Sequence, residues 1–176
     1  MPVAITGSGL HVNNFNLIAN GVIPEEGTVW IDSKNVWWLG LGTSITLDYG
    51  SQNLINDVLV SVDNNDRYAV DYSLDGFVFS NLFTILPSYG NVSASRGGMD
   101  TMSTDAASSE FVPGINFPPI TARFLRFRAT AGDGFYAVGE LEAFGSPVPE
   151  PSTYGLIGAA ALLGLAALRR TRRMKG

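Results

Sequence analysis

Few residues in this 176-residue chain have the type and spacing that catalysis requires. His11 is the only histidine and cysteine is absent. A Ser-His-Asp arrangement can therefore be drawn only through one residue near a loose N-terminus, and cysteine nucleophiles, disulfides and thiolate metal sites are excluded. Gly97-Gly98 lacks the lysine and following helix of a phosphate loop. No spacing singles out a carboxylate pair for acid–base work. Asp63-Asn64-Asn65-Asp66 has the oxygen donors of a calcium loop but neither the glycine nor the distal glutamate of an EF-hand, and it reads as a turn. What remains is recognition chemistry. Trp30, Trp37, Trp38, Phe77, Phe79 and Tyr89 carry rings that match the apolar face of a pyranose, although most of them belong to core or turn packing. Trp38 and Tyr89 are the ligand-stacking candidates, with Arg96 as a donor to sugar hydroxyls or acidic polysaccharide. Arg123, Arg126 and Arg128 form the only basic cluster before the C-terminal region; strand alternation puts the last two on one face, with nearby acids as their partners.

The elements that must position these groups read as strands. Ile45, Leu47 and Tyr49 alternate with polar residues, and Val58, Val60 and Val62 form one face of the next run. Tyr68 to Leu74, Leu125 to Ala129 and Tyr136 to Phe144 continue the period of two, which half-buried antiparallel strands produce. Asp75-Gly76 predicts a two-residue hairpin between Leu74 and Phe77. From Pro87 to Ile120 the chain is rich in Ser, Gly, Asp and Pro and predicts a long excursion holding one short strand. The expected fold class is all-β, a sandwich over residues 1–146.

Residues 147–176 differ in kind. The body before them carries six basic and fifteen acidic residues, a net of −9, whereas this tail carries five basic residues and one acid, a net of +4. An acidic body repels nucleic acid phosphates and excludes that class of partner. Pro147, Pro149 and Pro151 keep the start of the tail extended and exposed. From Tyr154 to Leu168 no residue is charged. As a helix this run is roughly 22 Å long against roughly 30 Å of bilayer hydrocarbon. Ser152 and Thr153 extend it and Arg169 and Arg170 snorkel from its end, so a single C-terminal transmembrane helix at about 154–168 is expected. The basic cluster 169–175 should stay cytoplasmic, which places the acidic body outside.

Pro149-Glu150-Pro151, the apolar run and Arg169-Arg170-Thr171-Arg172-Arg173, in that order, resemble the PEP-CTERM sorting signal of Gram-negative bacteria. The resemblance implies recognition of Pro149, Glu150 and Pro151 by an exosortase. It makes Arg169, Arg170, Arg172 and Arg173 the stop-transfer flank, and it implies an inner-membrane-anchored precursor released to the cell surface or exopolysaccharide matrix. Such export also calls for a signal peptide; Met1 to Gly7 has neither a basic nor a long apolar region, so the signal is expected upstream of Met1.

A second resemblance covers roughly residues 15 to 145. Ile45 to Ser51, Val62 to Gly76, Thr121 to Phe127 and Val138 to Gly145 are similar, in order, to segments of the discoidin, or coagulation factor 5/8 type C, domain. This implies a galactose-binding-like jelly-roll β-sandwich, a non-enzymatic module that binds carbohydrate, lipid headgroups or proteins through loops at one end. Polysaccharide is then the expected partner; the alternative is a purely structural matrix or adhesion protein without a specific sugar ligand. The resemblance also implies one structural Ca²⁺, with Glu140 as its carboxylate, Asn20-Gly21 where Asp-Gly is usual, and Thr28 supplying an oxygen.

Overall fold

The computed structural model describes residues 1–149. Glu150, Pro151, the apolar run 154–168 and the basic residues Arg169, Arg170, Arg172 and Arg173 lie outside the described residues, and with them the expected helix and most of the sorting motif. Among the described residues no helix is long and apolar enough to cross a membrane.

The period-two runs form strands: β1 (Ala4–Ser8), β2 (Val36–Leu39), β3 (Ser44–Asp63), β4 (Arg67–Ser73), β5 (Ser80–Ile85), β6 (Met99–Ser103), β7 (Ile120–Ala131) and β8 (Phe135–Pro147). Two short 3-10 turns, Phe15–Ala19 and Pro113–Ile115, are the only helical elements among the described residues. Every strand pair is antiparallel. The hydrogen-bonded order is β2-β8-β3-β7-β4-β5, with β1 and β6 also pairing with β3. The first half of β3 pairs with β1 and β7, and its second half with β8 and β6. The network therefore turns over along β3 into the two layers of a β-sandwich.

Several expectations are revised. The two runs at 45–49 and 58–62 belong to one twenty-residue strand. They are joined by a bulge, where the register against β7 jumps between Asp48 and Asn53. Gly50 sits in that bulge at φ +78°, a left-handed conformation that suits glycine, and its N–H donates to Asp48 Oδ1 at 2.7 Å. The N-terminus is not loose, because β1 lies in register on β3. The β4–β5 connection is not a two-residue turn: Tyr72 faces Ser80, so the chain between them is long. The loop is organised by Asp75, whose Oδ1 accepts from the Phe77 and Val78 amides at 2.8 and 2.9 Å. Within the 87–120 excursion, β6 is the one short strand.

The inner faces supply the core: Ile45 and Leu47, Val58, Val60 and Val62, Tyr68 and Val70, Leu125 and Phe127, and Tyr136 and Val138 are all buried. Each large apolar side chain removed from water contributes about 1.5–3 kcal/mol. Tyr68 stacks on Phe127 at 5.1 Å, and Trp38 meets the same Phe127 ring edge-on at 6.3 Å. On the outer face Arg126 and Arg128 both reach Asp71, at 2.9 and 2.8 Å. Burial pushes the Asp71 carboxyl up, but hydrogen bonds from Arg128, Arg126 and Asn81 outweigh it and hold the group below the usual carboxylate range. Arg123 grips Asp48 instead, through two bonds of 2.8 Å.

The sandwich thus has two distinct ends. One carries the β3–β4 and β7–β8 turns. The other carries the Gly50 bulge, the β4–β5 connection and the departing chain, where Val148 N–H donates to Gln52 O at 2.9 Å.

Candidate functional site

At the turn end, three stretches far apart in sequence come together. The β3–β4 turn is tied to the loop before β6: Asn64 N–H donates to Gly98 O at 3.1 Å, Gly98 N–H to Asp63 Oδ1 at 3.2 Å, and Asn64 Nδ2 to Val92 O. The loop after Pro24 joins them as Gly27 N–H donates to Met99 O and Met99 N–H to Thr28 O, both at 2.8 Å. Buried Asn35 then fixes the next residues, donating Nδ2 to Trp30 O at 3.1 Å. The Trp30 ring packs edge-on against Trp37 at 5.3 Å and tilted against Phe135 at 5.4 Å.

Between these stretches lies a cavity of about 360 Å³, lined by Val29, Trp30, Asp63, Asn65, Arg96 and the Gly97-Gly98 backbone. Its polar groups are held from behind. Asp66, fully buried, accepts from Asp133 N–H at 3.1 Å and from the Tyr68 hydroxyl at 3.2 Å. Asn65 Nδ2 donates to Asp133 Oδ2 at 3.1 Å while its own Oδ1 is buried without a partner. Burial raises the Asp63 carboxyl to about 6, against the lowering effect of the Gly98 amide. Burial likewise raises Asp66 to about 7, with Asp133 and Asp63 adding repulsion. Gly132 makes the close packing possible: a Cβ there would stand 1.8 Å from Asp66 Oδ1. A supported indole, a carboxylate acceptor, a carboxamide and a guanidinium donor around one hollow are suited to hydroxyl-rich rings. His11 lies elsewhere, stacked on Phe15 with Nδ1 3.2 Å from Gly9 O.

The structure separates the three expected ligand residues. Arg96 lines this cavity. Tyr89 lines a different hollow of about 230 Å³ with Asn91, Thr101 and Glu110. Trp38 is only 1% exposed, in the core between Phe127 and Tyr136, and offers no ring face to a ligand. It points inward because β2 lies on β8 with Trp38 opposite Tyr136. Trp30 stands among the six candidate rings of the sequence without being preferred, and Asp63 and Asn65 read there only as parts of a polar turn.

Ser61 stands opposite Glu140 on β8 and opposite Thr101 on β6. Glu140 is fully buried, and both of its carboxylate oxygens, with Ser61 Oγ and Thr101 Oγ1, lack a hydrogen-bond partner. Burial first, then Glu142, raises the Glu140 carboxyl to about 7. The Gly21, Val22 and Asn20 backbone amides lower it, yet none of them reaches hydrogen-bonding geometry. The side chain of Asn20 is occupied, its Oδ1 accepting from Val22 N–H at 2.8 Å. Thr28 lies further along the same loop with its carbonyl taken by Met99. Among the described residues no three His, Cys, Asp or Glu side chains gather as a metal site. The Glu140 carboxylate and two unpaired hydroxyl oxygens, those of Ser61 and Thr101, are of the type a hard cation takes, whereas Asn20 Oδ1 and the Thr28 carbonyl are already engaged.

Residues 147–173 match the PEP-CTERM protein-sorting motif, which indicates a protein sorted for export. No curated protein matches the sequence. Among solved structures, the CBM32 of AlyQ, in complex with 4,5-unsaturated mannuronic acid, is 18% identical, with a TM-score of 0.52 over 82% of this chain and 95% of that one. A fucose binding module of Streptococcus pneumoniae, SpX-3, is 10% identical, with a TM-score of 0.51 over 80% and 92%. CpGH89CBM32-6 of Clostridium perfringens is 16% identical, with a TM-score of 0.50 over 83% and 97%. The fold is therefore a β-sandwich like that of these carbohydrate-binding modules.

Proposed function

We propose that this is an exported, non-enzymatic surface or matrix protein of a Gram-negative bacterium, whose sandwich binds polysaccharide in the Trp30–Asp63–Asn65–Arg96 cavity. The supported Trp30 ring beside three polar side chains carries the reading. Trp30 stacks on a pyranose face, Asp63 and Asn65 take its hydroxyls, and Arg96 donates to hydroxyls or a uronate. The neighbouring modules named for a uronic acid and for fucose support a sugar ligand of this general class.

The C-terminal region acts as the sorting tail. An exosortase recognises Pro149, Glu150 and Pro151, and the run at 154–168 anchors the precursor in the inner membrane with Arg169, Arg170, Arg172 and Arg173 as its flank. Processing then leaves the body at the cell surface or in exopolysaccharide. A Ca²⁺ ion held by Glu140, beside Ser61 and Thr101 on the facing strands and the Asn20–Val22 amides that act on its carboxylate, would tie the Asn20–Thr28 loop to the sheet and so steady the approach to Trp30. Glycan-array profiling of the full-length chain in mild detergent tests the binding role. Selective retention of acidic or neutral polysaccharides is the expected result, and a blank array refutes it in favour of a structural protein without a sugar ligand.

A further inference from the structure

The β4–β5 connection exposes three apolar side chains at its tip: Leu74 is 51%, Phe77 89% and Val78 73% exposed. The tip is not a slack loop. Asp75 Oδ1 is turned into it by the Phe77 and Val78 amides, and Ser73 Oγ accepts from the Asp75 and Gly76 N–H groups at 3.2 and 3.0 Å. At its root the Arg126 guanidinium lies 4.0 Å over Phe79, and the Arg123 guanidinium 4.8 Å over Phe124. The only charge on the tip, Asp75, is exposed but has Oδ1 engaged by the Phe77 and Val78 amides, and the Leu74, Phe77 and Val78 side chains project beside it with two arginines at the root.

The strand register fixes where this tip stands. Ser73 at the end of β4 lies opposite Phe124 on β7, and Phe124 opposite Asp48 on β3. Asp48 is at the edge of the bulge whose Gln52 carbonyl holds Val148. The tip and the departing chain therefore share one end of the sandwich. From Val148 to Tyr154 the chain reaches no more than about 20 Å even fully extended, whereas the thirteen-residue β8 alone spans roughly 40 Å. A body tethered by a membrane-inserted 154–168 run has this end within reach of the bilayer and the Trp30 cavity turned away from it.

We infer that Leu74, Phe77 and Val78 form a lipid-contacting tip, seated at the headgroup–acyl boundary while the tail holds the precursor. This rests on the reading of residues 154–168 as a membrane segment. The body's net charge of −9 disfavours anionic membranes, so the tip acts only at the high local concentration that tethering supplies. Release of the tail then frees the body from the membrane.

Because the chain has no cysteine, single-cysteine labelling tests this directly. Full-length Val78→Cys, Leu41→Cys and Ala160→Cys proteins carrying a polarity-sensitive dye are reconstituted in phosphatidylcholine–phosphatidylglycerol vesicles with shallow spin-labelled lipids. The labels at 78 and 160 should be quenched at least threefold more than the label at 41, an exposed position at the opposite end, where neighbouring Gly40 N–H donates to Gly134 O in the β7–β8 turn. Adding Phe77→Asp should bring the label at 78 down to the level at 41, with the label at 160 unchanged. Quenching at 160 but not at 78 overturns the inference and leaves the membrane tail standing. Absence of quenching at 160 and 78 alike overturns both. Protection at 78 that appears only when the processing enzyme is present in the vesicles assigns the tip to a protein partner and overturns the lipid assignment.

Discussion

Ser61 and Glu140 stand opposite one another on β3 and β8, both fully buried, and none of their side-chain oxygens has a hydrogen-bond partner. A carboxylate in that state is costly unless it is protonated or bound to a cation. Adding Ca²⁺ to chelator-treated protein should therefore raise the thermal midpoint by about 5 °C or more near neutral pH. Glu140→Gln should abolish the increase. A wild-type chain without any shift, or a variant with the same shift, would remove calcium from the account.

Asp66 gives a pH signature of its own. An unfolded aspartate titrates near 3.9, whereas burial raises the folded carboxyl to about 7. Between those values the native state keeps a proton that the unfolded state has released, so stability is full below about pH 4 and falls as pH rises toward 7. Asp63, raised to about 6, acts in the same direction. Chemical denaturation across pH 4 to 8 should show a loss on the order of 1–3 kcal/mol. Asp66→Asn should reduce that slope without abolishing it, since Asp63 and Glu140 are raised in the same range. A stability that increases over this range would contradict the burial argument.

Asp71 should behave in the opposite sense. Its side chain is 3% exposed, while Arg126 and Arg128 are 31% and 39% exposed. Removing the shared carboxylate leaves two guanidinium groups facing each other, so Asp71→Asn should destabilise the fold by about 1–3 kcal/mol. Arg126→Gln alone, which leaves Arg128 in place, should cost less. Equal effects in a denaturation series would show that the pair does not share the carboxylate as described.

The sorting tail was legible because its signal is local: prolines, an apolar run and arginines need no tertiary contact to be read. The strands were legible wherever one face meets the core, as at Val58, Val60 and Val62. The continuity of β3 was not, since polar residues and Gly50 mark the bulge in sequence just as they would mark a turn. The choice between neighbouring tryptophans also failed, because facing depends on pairing: placing Trp38 opposite Tyr136 sends it inward. The cavity was the least legible feature. Its lining comes from residues 29–30, 63–65 and 96–98, and only the bonds linking Asn64, Gly98 and Met99 to their partners bring those segments together.

Calorimetric titration of the full-length chain with the best polysaccharide fragment, in wild-type and Trp30→Ala forms, tests the binding claim most directly. Loss of the stacking ring should weaken binding by at least tenfold, roughly 1.4 kcal/mol, without lowering the thermal midpoint by more than a few degrees, because Trp30 is only half-buried. Unchanged affinity in Trp30→Ala, or a fragment that binds equally well after the cavity is blocked at Asn65 and Arg96, would contradict it.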